Sequence, residues 1–410
     1  MLRKFLLLFL IILALPASSQ KALKSVKASL KANKQTDALK EIAKLEKDST
    51  INGDPRLYSL GVQAHIALNN TQNEKAYLKQ KYDTAQFFNS TYGVYEYVLK
   101  TDSVERILLA KKGTKMKFQK THAEYLHKYY KNLCAGGRYF YIKKNFADAT
   151  KFLKMALVAP TDSMWGDNKD IINKKAYVEN ATLLLYSAYK VKDYKLAIKY
   201  SDLALKDTTV NRAAMLETQA RIYKAVGDTA NYLRFIRLGL KEYAKVPFFF
   251  TEMTDYYTAR EDYSHSLQLA DSLLPADSTN LYFLSAKSLA LMNLNRDKES
   301  IEVSKRILEL DSTQAEIYYY TGAAYCNLAE GITLPTNINS RTYKKANSER
   351  VAYYKSALPY LEKYRLLRPE NKKKWAPLLY DVYLALNKGD KFEEMQTLMN
   401  EIFPAGKVTE

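Results

Sequence analysis

Residues that interrupt helices are scarce in this 410-residue chain, which has only 13 glycines and 10 prolines. Glycine and proline are the least favourable residues inside a helix, so their scarcity favours long helical stretches. Leucine, alanine, lysine and tyrosine fill most of the stretches between these breakers. The composition therefore predicts a mainly helical protein.

Residue patterns typical of enzymes are also missing. The four histidines, His65, His122, His127 and His265, do not form a paired metal-binding spacing with each other or with cysteine. The sequence has no nucleophile elbow, no phosphate-binding glycine loop and no dinucleotide fingerprint. We therefore predict no catalytic residues, no metal and no cofactor, while an unrecognised carboxylate pair remains an open alternative.

Long apolar runs are limited to one, Phe5 to Leu15, which follows the basic residues Arg3 and Lys4. Eleven apolar residues are too few to cross about 30 Å of hydrocarbon, and small residues follow the run, as in a secretory signal peptide. We predict a signal peptide over residues 1–19 that is cleaved between Ser19 and Gln20. Because no cysteine follows the run, a lipoprotein is not expected. The sequence thus predicts an exported protein without a transmembrane span, located in the periplasm, associated with the outer membrane or secreted.

Acidic residues are fewer than basic ones, 44 against 63, which gives a net charge of +19. Such an excess favours anionic partners. Export argues against nucleic acid, so we expect an acidic protein or peptide partner, or alternatively envelope glycans. The other explanation is that the lysines only solvate the outer faces of helices, because they are spread along the chain.

A 34-residue period is the clearest pattern that is present. Large apolar residues recur at this spacing, at Tyr189, Tyr223, Tyr257, Leu291 and Tyr325. Three residues before each lie Tyr186, Ala220, Thr254, Ser288 and Gly322, four of which are small. A small residue lets two helices approach closely while the large residue fills the adjacent space. The period indicates a repeat architecture, and a chain of this length exceeds what one compact core supports.

Three motifs match places in the tetratricopeptide repeat: Tyr318-x3-Gly322-x2-Tyr325, Gly137-x2-Phe140, and Ala357-x3-Leu361-x2-Tyr364-x4-Pro369. The chain resembles this family strongly from about residue 132 and weakly before it. The resemblance implies an all-α fold, a right-handed superhelical solenoid of antiparallel helix pairs. We predict divergent helical repeats over 20–131 and a repeat array over 132–410, with insertions at 160–175 and 330–350. Because each unit of such an array contacts only its neighbours, Cys134 and Cys326 are expected to remain unpaired.

The resemblance also implies a function. Proteins of this family bind a peptide or protein segment on the concave surface, which the first helix of each pair lines. We predict a non-enzymatic protein- or peptide-binding scaffold of the bacterial cell envelope, and as the alternative a carbohydrate- or cell-wall-binding module with Tyr and Trp platforms. The family's register and the basic insertion give these candidate partner-binding residues: Lys131, Arg138, Tyr141, Arg221, Lys224, Tyr319, Arg341, Lys344 and Lys345.

Asp followed by Ser or Thr recurs where helices are expected to begin, for example at Asp48, Asp102, Asp277 and Asp311. These residue types cap helix N-termini, because their side chains accept hydrogen bonds from backbone N–H groups. The same pattern resembles the O-glycosylation motif of exported proteins in one group of Gram-negative bacteria. Both interpretations require these segments to lie in exposed turns.

Overall fold

The computed structural model describes residues 20–167 and 169–403, and the regular structure in this part of the chain is entirely helical. The predicted signal peptide, residues 1–19, lies outside the described residues. The chain divides into two compact units, with the division after Asp228. The prediction of an all-α solenoid of antiparallel helix pairs is confirmed within each unit.

Unit 1, up to Asp228, contains eleven α-helices among its described residues, and most of them form antiparallel pairs. They are α1 over residues 20–31, α2 (Gln35–Leu45), α3 (Pro55–Tyr77), α4 (Thr84–Lys112), α5 (Gln119–Ile142), α6 (Phe146–Val158), α7 (Lys169–Ile172), α8 (Lys175–Lys190), α9 (Tyr194–Lys199), α10 (Ser201–Ala204) and α11 (Arg212–Ala225). Side chains of Leu57, Tyr95, Leu126, Phe152 and Leu184 form a continuous core between the successive pairs.

Unit 2, from Thr229, contains nine α-helices among its described residues. They are α12 (Thr229–Glu242), α13 (Pro247–Thr258), α14 (Tyr263–Leu273), α15 (Leu281–Asn293), α16 (Asp297–Leu310), α17 (Ala315–Glu330), α18 (Arg341–Leu367), α19 (Lys372–Ala385) and α20 (Gly389–Ile402). We call the first helix of each pair an A helix and the second a B helix. The A helices are α1, α3, α5, α8, α11, α13, α15, α17 and α19.

Small residues lie where the A and B helices of a pair approach each other. Gly322 on α17 faces Leu361 on α18, and a Cβ atom at Gly322 would lie 2.5 Å from Leu361 Cδ2. In the preceding pair, the Ser288 hydroxyl is 2.6 Å from that of Ser304, and Ser300 Oγ donates to the Ser288 carbonyl at 2.9 Å. The 34-residue period therefore records the closest approach of paired helices, as the sequence predicted.

The turn from an A helix to its B helix, here called the A–B turn, has a common backbone conformation. Every A–B turn except that between α17 and α18 contains a residue with positive φ, between 55° and 75°: Asn33, Lys79, Lys144, Lys192, Gly227, Glu261, Asn295 and Asn387. This left-handed conformation ends a helix and redirects the chain, and glycine or asparagine adopts it most readily.

The segments predicted as insertions are largely helical. Residues 159–165 form two 3₁₀ turns, and the four-residue helix α7 follows. In the second segment only residues 331–340 form a loop, because Ser340 caps α18 by accepting a hydrogen bond from the Tyr343 N–H. A run without glycine or proline follows Ser340, so residues from Arg341 continue as helix. The border predicted between residues 131 and 132 falls inside α5.

The Asp-Ser/Thr segments divide into turns and helix interiors. The Asp48 carboxylate accepts hydrogen bonds from the backbone N–H and hydroxyl of Thr50, at 2.9 and 2.7 Å, and Asp311 binds Thr313 in the same way. Asp102 contradicts the prediction, because it is buried in the middle of α4 and pairs with Arg106 on the same helix. The pattern therefore predicts a turn only where the surrounding residues cannot continue a helix.

Candidate functional site

A groove crosses the A helices of unit 2. It encloses a cavity of about 360 Å³ lined mainly by residues of α13 and α15, with Gln314 and Tyr320 from the beginning of α17 and its preceding turn. We call this feature the A-helix groove. Its floor is apolar, formed by Phe250, Leu281, Ala286 and Leu289, and hydroxyl-bearing side chains surround the floor: Thr251, Thr254, Thr258, Ser266, Tyr282, Ser285 and Tyr320.

Packing beneath the groove explains why it stays open. Phe250 and Phe283 bring their ring centroids to 4.6 Å, and this contact holds α13 and α15 together below the floor. Above this contact, Ser285 and Ala286 are too small to fill the space. Tyr282 lies at the rim with 55% of its surface exposed. The groove is therefore formed by two packed A helices and is not a gap between loops.

Most of the residues that line the groove are uncharged. Asp255 is the one charged residue among those that line it. Burial raises the pKa of the Tyr320 phenol, so this residue is a neutral hydrogen-bond donor at physiological pH. Thr254 already donates to the carbonyls of Phe250 and Thr251, at 3.1 and 3.0 Å. The groove can thus accept apolar groups on its floor and hydrogen-bonding groups along its edges.

The candidate residues in unit 1 lie on two A helices. Lys131, Arg138 and Tyr141 share one face of α5, while Arg221 and Lys224 lie on α11, and α8 packs against both helices. Their charges are partly neutralised within the chain. Arg138 forms an ion pair with Glu179 of α8, and Arg221 forms one with Glu217 on its own helix at 2.9 Å.

The other candidate residues lie in unit 2, outside the lining of the A-helix groove. Tyr319 packs its ring against Tyr364 at 5.2 Å, and Lys374 lies over its face, also at 5.2 Å. Arg341, Lys344 and Lys345 are exposed on the first turns of α18. Of the nine predicted residues, five therefore lie in unit 1 and four in unit 2.

The A-helix groove was not predicted from the sequence, although α13 carries a usable signal. Thr251, Thr254 and Thr258 repeat at a spacing of three and four residues, which puts three hydroxyls on one helix face. Of the preceding Phe248-Phe249-Phe250 run, only Phe250 lines the groove. Phe249 is also buried, but its ring lies against Gly239 of α12.

Two histidines and both tryptophans pack against other residues of the chain. His122 is buried against Phe118, His127 contacts the Trp165 carbonyl at 3.0 Å, and both Trp165 and Trp375 are buried. The tryptophans therefore do not offer the exposed platforms that the carbohydrate alternative assumed. Nowhere in the described part of the chain do three His, Cys, Asp or Glu side chains gather as they would around a metal ion. Of the helices within residues 20–167 and 169–403, none combines the length and apolar character needed to cross a membrane.

Comparisons with known proteins find similarity at the level of solved structures. No protein-family model matches the chain, and no curated protein matches it significantly. One similar structure is the C-terminal part of a TPR repeat-containing protein from Cytophaga hutchinsonii, with 14% identity over 67% of this chain and 96% of that one, at a TM-score of 0.44.

Two further matches have similar identities. A tetratricopeptide repeat protein from Parabacteroides merdae is 14% identical over 66% of this chain and 98% of its own, at a TM-score of 0.36. MamA AMB-1 is 16% identical over 48% of this chain and 92% of its own, at a TM-score of 0.32. The resemblance to the tetratricopeptide repeat that the sequence motifs predicted is confirmed, and this chain is similar to these proteins in being built from stacked antiparallel helix pairs.

Proposed function

We propose that this protein is a non-enzymatic scaffold that holds an extended segment of a partner protein in the A-helix groove. The observation that carries this proposal is the groove itself, an open cavity with an apolar floor and hydroxyl-lined edges on packed A helices. A site of this composition binds by shape and hydrogen bonding. Such a binding role requires no catalytic residues.

The dimensions of the groove suit a short peptide. Packed helix axes lie about 8–10 Å apart, so three successive A helices span about 16–20 Å. An extended chain advances about 3.3 Å per residue, so about five or six residues fit across α13, α15 and the start of α17. Alternate side chains of such a segment would meet the apolar floor, while its backbone would meet the hydroxyls.

The chemistry of the lining changes the expected partner. The sequence predicted an acidic partner because of the net charge of +19. The lining of the A-helix groove, however, is mostly uncharged, with apolar and hydroxyl-bearing side chains. A segment with small apolar side chains and backbone N–H donors complements this lining.

Photo-crosslinking tests this proposal. A benzophenone amino acid at Ser285 places the probe in the groove, and the same probe at Lys298, exposed on the B helix α16, is the matched control. We expect a crosslink to a defined protein segment from Ser285 and not from Lys298. Ser285→Arg, which fills the groove with a long side chain, should abolish complex formation while the circular-dichroism spectrum stays unchanged. Equal crosslinking from both positions would refute the assignment of the groove.

Export to the cell envelope is part of the same proposal. Its support is the sequence over residues 1–19, with a basic start, an apolar run and small residues before Gln20. Cell fractionation followed by N-terminal sequencing tests it. We expect a mature chain in the envelope fraction that begins at Gln20. A full-length chain in the cytoplasmic fraction would contradict the export proposal without affecting the groove.

A further inference from the structure

The A–B turns of unit 1 expose large apolar side chains. Tyr77 and Leu78 end α3, and 86% of the Tyr77 surface and 53% of the Leu78 surface are exposed. Tyr82 follows in the same turn, Ile142 ends α5 with 75% of its surface exposed, and Val191 lies in the turn after α8. Large apolar residues exposed at several adjacent turns are unusual for a surface that meets only water.

Topology brings these turns together. Consecutive helices of unit 1 pack as antiparallel neighbours, α3 with α4, α4 with α5, α5 with α6 and α6 with α8. The A helices therefore all run in one direction, and their A–B turns lie along one edge of the unit. We call this the lysine edge, for the residues described next.

Lysines surround the exposed apolar residues. They are Lys75, Lys79 and Lys81 at the first of these turns, Lys143 and Lys144 at the second, and Lys190 and Lys192 at the third. Carboxylates are fewer along this edge, and most have a structural role. Asp83 and Asp193 cap the following helices, Asp148 accepts a hydrogen bond from Asn145, and Glu74 lies on the last turns of α3.

The backbone conformation gives independent support for a role of these lysines. Lys79, Lys144 and Lys192 occupy the left-handed position of their turns, with φ of 55°, 59° and 63°. A side chain with a Cβ atom is strained there, and the equivalent turns elsewhere use Asn33, Gly227, Glu261, Asn295 or Asn387. Unit 1 thus carries a lysine at three positions where the backbone favours another residue.

The opposite edge of unit 1 differs in the acidic residues of its turns. Its turns connect each B helix to the next A helix, and they contain Asp48, Asp54, Asp162 and Asp207, which bind backbone N–H groups of their own turns. The A–B turns of unit 2 are mixed in charge, as in the sequence Arg260-Glu261-Asp262. The opposite edge also has Lys111, Lys112, Lys115 and Lys117 after α4, near the exposed Ile107 and Leu109. The lysine edge differs because lysines and exposed apolar side chains occur together at three successive turns.

We propose that the lysine edge docks unit 1 onto the surface of an anionic lipid bilayer. Separate projecting tips fit a flat, deformable surface better than they fit a groove of another protein. Tyrosine and aliphatic side chains enter the region between headgroups and acyl chains, while lysines bind the anionic headgroups. The contact leaves the A-helix groove of unit 2 to its own ligand, so the two proposals can fail separately.

Vesicle flotation with the full chain tests the docking. We expect binding to vesicles of phosphatidylcholine mixed with phosphatidylglycerol, and much weaker binding to phosphatidylcholine alone. The variant Lys79→Asn/Lys144→Asn/Lys192→Asn removes three charges with a residue that suits the left-handed turn, so the fold is retained. Each lysine near an anionic surface contributes about a fivefold factor, so partitioning should fall about a hundredfold.

A charge-matched control separates the edge from the overall charge. Lys24→Gln/Lys128→Gln/Lys154→Gln removes three exposed lysines from helices of unit 1, and it should reduce partitioning severalfold at most. An equal loss in the control and the edge variant would overturn the proposal, since diffuse charge would then explain the binding.

The apolar tips distinguish a lipid surface from a soluble acidic polymer. Tyr77→Ser/Leu78→Ser/Ile142→Ser should weaken vesicle binding at low salt and abolish the residual binding that persists when salt screens the lysines. If polyglutamate displaces the chain completely from vesicles and the serine variant binds vesicles as well as the unchanged chain, the edge recognises acidic polymers and the lipid proposal is wrong. Absence of any preference for anionic vesicles would also overturn it.

Discussion

The early helix pairs of the two units solve the same packing problem with helices of different length. In unit 1, α3, α4 and α5 have 23, 29 and 24 residues, whereas α13, α14 and α15 of unit 2 have 12, 11 and 13. Both units place small residues at helix crossings, such as Gly61 against Tyr97 in unit 1 and Gly322 against Leu361 in unit 2. A stack of helix pairs therefore depends on its crossing points, while helix length and the spacing along the sequence can vary.

Removing a large core side chain from one unit at a time is the strongest test of this comparison. Phe152 is fully buried in unit 1 beside Phe140 and Tyr92, and Tyr364 is fully buried in unit 2. We expect Phe152→Ala to lower the free energy of unfolding by about 3–5 kcal/mol, because it removes buried surface and leaves a cavity. Tyr364→Ala should have an effect of similar size in unit 2.

Hydrogen exchange read by mass spectrometry locates each effect. Because contacts in a repeat array are made between neighbours, faster exchange should concentrate in the unit that carries the substitution. Equally faster hydrogen exchange in both units after either substitution would show that the chain unfolds as one cooperative body. The two units would then not have separate free energies of unfolding.

Acid should weaken unit 1 before unit 2. Burial lowers the pKa of His65 and of His122 to about 4, and both lie in unit 1, while His265 of unit 2 is exposed near the beginning of α14. The unfolded chain binds these protons near pH 6.5, so stability is complete above that pH and is lost as the pH falls toward 4. The loss is of order 2–3 kcal/mol for each histidine.

Urea titrations between pH 7 and 4.5, with hydrogen exchange as the readout, measure this difference. His65→Leu/His122→Leu should flatten the pH dependence of unit 1 within this window. Aspartates such as Asp48, whose pKa is lowered by the hydrogen bonds of Thr50, lose their contribution only at lower pH. A pH slope that persists in the double variant would contradict the assignment to these histidines.

A smaller change in stability is expected from substitutions at the crossing points of paired helices. Gly322→Ala places a Cβ atom against Leu361 and should destabilise unit 2 by about 1–3 kcal/mol through overpacking. Gly389→Ala is the matched control, because a Cβ atom there meets no atom within 4 Å. Thermal unfolding of both variants checks this expectation. Equal midpoints would show that the helices separate freely, and that the small residues are not what sets their approach.

The smallest expected effect is a gain in stability. Lys144→Asn relieves strain at a left-handed position and should stabilise unit 1 by about 0.5–1 kcal/mol. Lys143→Asn, at an ordinary backbone position in the same turn, is the control and should give no gain. The comparison of the two variants by urea unfolding separates backbone strain from loss of charge. A gain of the same size in both would assign the effect to charge repulsion.

The sequence predicted the regular part of the fold because small and large residues recur at fixed distances. Gly322 with Tyr325 and Ser288 with Leu291 are such pairs, and both lie where the period predicted. Before α8 the period is lost, since longer helices separate the equivalent positions by irregular intervals. Gly93 was therefore not recognisable as a crossing point, although it faces the His65 ring of the paired helix.

The candidate site was less predictable than the fold. Charge indicated Arg138 and Arg221, but a sequence does not show that Glu179 and Glu217 are close enough to pair with them. The A-helix groove depends on small side chains next to a buried ring pair, and only packing reveals the resulting space. Arg341 was predicted in a loop, whereas the cap at Ser340 begins a helix there.

The central claim is that the A-helix groove of unit 2 is the binding surface of this scaffold. Its most direct test is a titration of the synthetic segment identified by crosslinking at Ser285 against the unchanged chain and the Ser285→Arg variant. We expect saturable binding to the unchanged chain and binding at least tenfold weaker to the variant, with equal thermal stability. Equal affinity for both chains would contradict it.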